Sequence, residues 1–202
     1  MKPYRLEPIV DLRTGIVIGH ELLAGAQVCP HWNECEWRDW YVFLAEEIPK
    51  LLEATDGGLF VNVDGDQVLD EQIYRSLCSM RDHACRIVVE WTEHHFHEEN
   101  LVTILAKFNF LKGLGFSLAI DDVGAGVDGL GRAEAVKASF CKIDGPYFQA
   151  IRNRGPEYLN DLCQPLSYGN SRIIVEWIET EADYRLALAA GAHLGQGYFW
   201  RV

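Results

Sequence analysis

No apolar stretch in this chain of 202 residues is long enough to span a bilayer, and the opening segment MKPYRLEPIVDL has neither an apolar core nor a small-residue cleavage site. A cytoplasmic protein without membrane attachment is expected. Positive charge is scarce: 18 Lys and Arg stand against 30 Asp and Glu, for a net charge of −12. Without a basic stripe to displace counterions, binding to polymeric DNA or RNA is excluded, although a small anion could still be received by metal ions or a few arginines. The six cysteines include no CxxC pair, so neither a disulfide framework nor a common zinc pattern is expected. Cys29, His31 and Cys35, like His94, His95 and His97, read as loop residues. No dinucleotide fingerprint, linker, low-complexity tract or repeat is present, which leaves a single domain over 1–202.

What is present is a regular alternation. Tyr4 to Asp11 and Gly15 to Leu23 are β-branched apolar runs joined by a short turn, which predicts an antiparallel hairpin at the start. A polar, aromatic segment from Pro30 to Trp40 leads into an amphipathic helix over Asp39 to Ala54. Six short apolar runs follow: Leu59 to Val63, Arg86 to Trp91, Phe116 to Ile120, Ser139 to Ile143, Arg172 to Trp177 and His193 to Gly197. Helical patterns at Gln67 to Met80, Glu98 to Gly113, Gly129 to Lys137, Pro146 to Pro165 and Glu181 to Ala190 separate them. Nearly continuous apolar strands alternating with helices predict a parallel α/β sheet buried on both faces. Counting the opening pair, eight strands favour a TIM-like (β/α)8 barrel with an antiparallel first strand.

The runs end on residues that can bind metal or move a proton: Glu21, Asn62, Glu90, Asp121 with Asp122, Lys142, Glu176 and Gln196. In such barrels the C-terminal strand ends carry the active site. Acids buried at strand ends without partners would cost on the order of several kcal/mol each, and one lysine cannot balance five carboxylates. The surplus predicts one or two divalent cations. Oxygen ligands suit Mg²⁺ or Mn²⁺ rather than zinc, and adjacent aspartates can bridge a metal pair. A metal pair of this kind serves phosphoester hydrolysis, whereas a glycosidase would need only two carboxylates and no amide. After the aspartates, Gly124 and Gly126 predict a tight turn with positive φ.

The ordered blocks YRLEPIVDLRTGIVIGHELL, FVNVD, VEWTE, DDVGAG, CKID, VEWIET and GQGYF resemble the EAL domain, the bacterial phosphodiesterase that opens cyclic di-GMP to linear pGpG. The resemblance runs over nearly the whole chain and implies two Mg²⁺ or Mn²⁺ ions. Glu21, Asn62, Glu90 and Asp121 would hold the first, and Asp121, Asp122 and Glu176 the second. Asp122 would also share in catalysis, Lys142 would orient the attacking water, and Glu176 would be the general base. Glu7, Leu23, Glu93, Asp144, Glu179 and Gln196 would support substrate or ligands. There are departures from the pattern. Gly25 stands where the family carries a phosphate-binding arginine, Val123 and Ala125 replace Phe and Thr in the aspartate loop, and Glu7 replaces a glutamine. The resemblance therefore implies either a phosphodiesterase, with activity reduced by these changes, or a catalytically weak or inactive regulator that binds cyclic di-GMP or a protein partner. Homodimers are common in the family.

Overall fold

The computed structural model describes residues 4–25, 32–92, 98–126 and 129–200. Cys29, His31, Glu93, His94, His95 and His97 lie outside them. Eight strands form a closed barrel in sequence order: β1 (Tyr4–Asp11), β2 (Val17–Ala24), β3 (Gly58–Val63), β4 (Ile87–Trp91), β5 (Ser117–Val123), β6 (Phe140–Ile143), β7 (Arg172–Val175) and β8 (Leu194–Gly195). β1 runs antiparallel to β8, whereas β3 with β4, β5 with β6, β6 with β7 and β7 with β8 are parallel. The antiparallel start and the barrel expected from the apolar runs are both present. By its contacts the chain divides into two compact units, Met1–Leu6 with His20–Ser117 and Glu7–Gly19 with Leu118–Val202. No helix among the described residues is long and apolar enough to cross a membrane.

In the first unit, α1 (Glu34–Ala54) begins five residues before the amphipathic pattern suggests. Its start is set by a capping box rather than by apolar period. The Asn33 side chain accepts from the amides of Cys35 and Glu36, and Glu36 accepts from the amide of Asn33. The single helix expected over Gln67 to Met80 is two, α2 (Gly65–Leu69) and α3 (Glu71–Ser79). Asp70, with extended backbone, ends one and caps the other by accepting from the amides of Gln72 and Ile73. α4 (Leu101–Gly113) packs Phe108 on Trp91 of β4, with ring centroids 4.8 Å apart.

The second unit carries α5 (Gly129–Val136), α6 (Gly145–Ile151), α7 (Pro156–Tyr168) and α8 (Glu181–Ala189). One helix was expected where α6 and α7 stand. Gly155, at φ +108, breaks it, and Pro156 restarts it at a first-turn position that needs no amide donor. The core holds Ile143, Phe148, Leu159, Ile173, Ile174, Val175 and Ala187.

His193, just before β8, gives a pH signature to this unit. Its Nδ1 accepts from the amide of Ile173 at 3.0 Å, which requires neutral imidazole. Burial, with help from Arg172 and Arg13, holds its pKa below the ordinary 6.5. As pH falls the unfolded chain takes the proton first, so the stability contributed by neutral His193 is complete above pH 6.5 and is lost as pH drops through the lowered folded value. Asn supplies an acceptor that does not titrate. The drop in Tm between pH 7 and pH 5 is therefore expected to be smaller for His193→Asn than for wild type, and equal drops would remove His193 from the acid response.

Candidate active site

In the first unit, Glu21 on β2, Asn62 on β3 and Glu90 on β4 form one group. Asn62 and Glu90 are register partners, so their side chains leave the sheet on the same face. Glu21 and Glu90 are both buried, and Asn62 Nδ2 donates to Glu21 Oε1 at 2.7 Å. That bond orients the amide and leaves Asn62 Oδ1, itself buried, with no hydrogen-bond partner among the described residues. A buried carbonyl oxygen beside two buried carboxylates is the donor set that a hard divalent cation takes. Leu23, two residues beyond Glu21, lies on the same side of β2 by strand alternation.

A second group lies in the other unit. One carboxylate oxygen each from Asp121, Asp122 and Glu176 fall within 4.8 Å of one another, a spacing that suits a bound ion. Adjacent residues of a regular strand point to opposite faces, so two neighbouring aspartates should not share a site. The register between β5 and β6 shifts between Ile120 and Val123, and Asp122 has left-handed backbone at φ +57. This bulge turns the second carboxylate to the side of the first. Gly124 then reverses the chain at φ +106, and an added Cβ there would meet the Tyr147 ring at 2.8 Å. The positive φ expected at Gly124 and Gly126 is present.

Lys142 on β6 has no solvent exposure, and its Nζ lies 2.8 Å from Glu176 Oε1 and 3.4 Å from Asp121 Oδ1. Register explains the contact. Lys142 pairs with Ile174 on β7, and Glu176 lies two residues further on the same face. Gln196 Nε2 reaches Glu7 Oε2 at 3.4 Å. Asp144 caps α6 by accepting from the amide of Tyr147 at 2.6 Å, and its own amide donates to the carbonyl of Val123, so it joins the aspartate loop to the next helix. Glu179 is exposed. Its amide donates to Asp183, a buried carboxylate that also accepts from the amide and hydroxyl of Thr180 and from Arg152. Of the expected site residues, Glu93 falls outside the described residues.

Two positioning residues carry no strand-end signal. Tyr41 of α1 is fully buried and donates to the main-chain carbonyl of Asn62 at 2.5 Å, and burial raises its pKa well above the usual phenol value. Arg132 of α5 is buried and donates to the main-chain carbonyl of Asp121 at 3.1 Å. Trp177 has left-handed backbone at φ +55 directly after Glu176.

The sequence profile described as EAL domain matches residues 43–201. The chain belongs to the EAL domain family. As an EAL domain it is 29% identical over 134 residues to the cyclic di-GMP phosphodiesterase TpdA of Vibrio parahaemolyticus, a match that covers 63% of this chain and 22% of that protein. The chain spans less than a third of the length of the curated relatives it matches. Among solved structures, the PaMucR phosphodiesterase in complex with c-di-GMP superposes with a TM-score of 0.84 at 20% identity, over 98% of this chain and 95% of the other. The manganese and cyclic-diGMP complex of Klebsiella pneumoniae BlrP1 gives 0.79 at 17% identity, over 98% and 54%. At these identities the likeness is one of fold.

Proposed function

We propose that residues 1–202 form one EAL domain that hydrolyses cyclic di-GMP to linear pGpG with Mg²⁺ or Mn²⁺. Membership of the family and the names of the relatives support the substrate. The observation that carries the chemistry is the buried Lys142 bridging Glu176 and Asp121 within a three-carboxylate group. Glu21, Asn62 and Glu90 are the proposed holders of one ion, and Asp121, Asp122 and Glu176 those of a second. When bound, such ions make a water nucleophilic near neutral pH and offset charge on the phosphodiester oxygens. Glu176 takes the proton of the attacking water. Lys142 fixes the Glu176 carboxylate through its 2.8 Å contact and holds positive charge beside the reacting phosphate. Against a net charge of −12, bound ions would help the site receive an anionic dinucleotide. The domain is proposed to act in the cytoplasm.

The purified protein with Mn²⁺ is expected to convert cyclic di-GMP to pGpG, read by chromatographic separation, and to stop when EDTA is added. Binding in Ca²⁺ without product in Mn²⁺ would assign the chain instead to nucleotide-binding regulators, the reading that Gly25 in place of a phosphate-holding arginine favours. Neither binding nor product would overturn both readings and turn attention to a protein partner.

A further inference from the structure

Trp177 stands where the backbone disfavours a bulky side chain. At φ +55 it occupies backbone space that suits glycine and strains a bulky residue. The indole nevertheless stays 50% exposed, so the strain is not offset by full burial. Its position is held firmly. The ring packs directly on the main chain of Gly145, in space that any Cβ at 145 would need. The carbonyl of Trp177 accepts from Gln149 Nε2 at 2.9 Å, so α6 grips the residue from both ring and backbone. The amide of the next residue, Ile178, donates to the carbonyl of Gln196 at 3.0 Å, which fixes the other side. The result is a rigid aromatic surface, partly open to solvent, whose preceding residue is Glu176 of the carboxylate group.

We propose that Trp177 is a substrate-binding residue on whose open indole surface a purine base of the substrate stacks. The proposal rests on the phosphodiesterase reading above. A phosphodiester at the Asp121, Asp122 and Glu176 group carries its base one ribose away, and Trp177 is the adjoining aromatic on the chain. Stacking needs no hydrogen-bond pattern and a pre-positioned ring loses little freedom on binding, so a strained and clamped tryptophan suits the role.

The test is a titration of the intact protein with cyclic di-GMP in Ca²⁺, followed by tryptophan emission and calorimetry, for wild type, Trp177→Phe and Trp177→Leu. Binding to wild type should quench emission. Trp177→Leu should lose that quenching and bind about ten- to a hundredfold more weakly, and Trp177→Phe, which keeps a π-face, should recover most of the affinity. In Mn²⁺ the change should fall on KM rather than kcat. Equal affinities for wild type and Trp177→Leu would overturn the stacking role and leave the phosphodiesterase reading standing. Equal weakening in both variants together with lowered Tm would reduce Trp177 to a support for Gly145 and also overturn it. No binding and no turnover by wild type would overturn the phosphodiesterase reading and the stacking role with it.

Discussion

Glu176→Gln is expected to lower kcat on cyclic di-GMP by about 10²- to 10⁴-fold in saturating Mn²⁺, the range for loss of a positioned general base. Glutamine keeps the shape of the side chain and can still accept from Lys142, whose Nζ lies 2.8 Å from Glu176 Oε1. It cannot take the proton of a water, and as a neutral amide it is a poorer partner for a cation. Asp121, 3.4 Å from Lys142, still balances the lysine, so the fold should survive with little change in Tm. The comparison to make is kcat and KM for both proteins beside their melting curves. A kcat within tenfold of wild type would remove Glu176 from the role of base.

Lys142→Met should be strongly destabilising, and its effect should depend on metal. Lys142 is fully buried among Asp121 and Glu176, and Met fills similar volume without charge. Removing one partner of a buried ion pair leaves the other uncompensated, at a cost of about 3–5 kcal/mol. In a domain of this size that is on the order of 10 °C in Tm. A divalent cation at the carboxylates replaces the lost positive charge. The expected result is a large Tm deficit in EDTA that Mn²⁺ partly repairs, with a greater Mn²⁺-induced rise in the variant than in wild type. Turnover should fall as well, because the group that orients Glu176 is gone. Equal Tm values in EDTA would mean that the carboxylates do not depend on this lysine, and an unchanged response to Mn²⁺ would argue against an ion at this group.

The strand-end acids illustrate how much of the site the sequence carries. Glu21, Asn62, Glu90, Asp121, Lys142 and Glu176 could each be picked out because an apolar run ends on a polar residue, a signal that survives without coordinates. The helix break at Asp70 was less legible, since the apolar period continues across it and only the cap geometry stops the helix, whereas at Gly155-Pro156 the local breaker was there to be read. Tyr41 and Arg132 were invisible for a different reason. Each acts on a main-chain carbonyl, that of Asn62 or Asp121, from a helix 21 or 11 residues away, and neither contact leaves a pattern in the strand itself.

By itself, the sequence determined the order of the strands, the antiparallel start and the polar residues that close the apolar runs, because period, turn residues and the polar ends of apolar runs are local properties. Only the tertiary structure decided that Asp121 and Asp122 share one side despite strand alternation, since that depends on a bulge against β6 and a left-handed Asp122. It likewise decided which aromatic residues are core and which are surface. Trp91 is enclosed by its packing on Phe108, whereas Trp177 is held half-open on Gly145, and that difference arises from neighbours far apart in the chain.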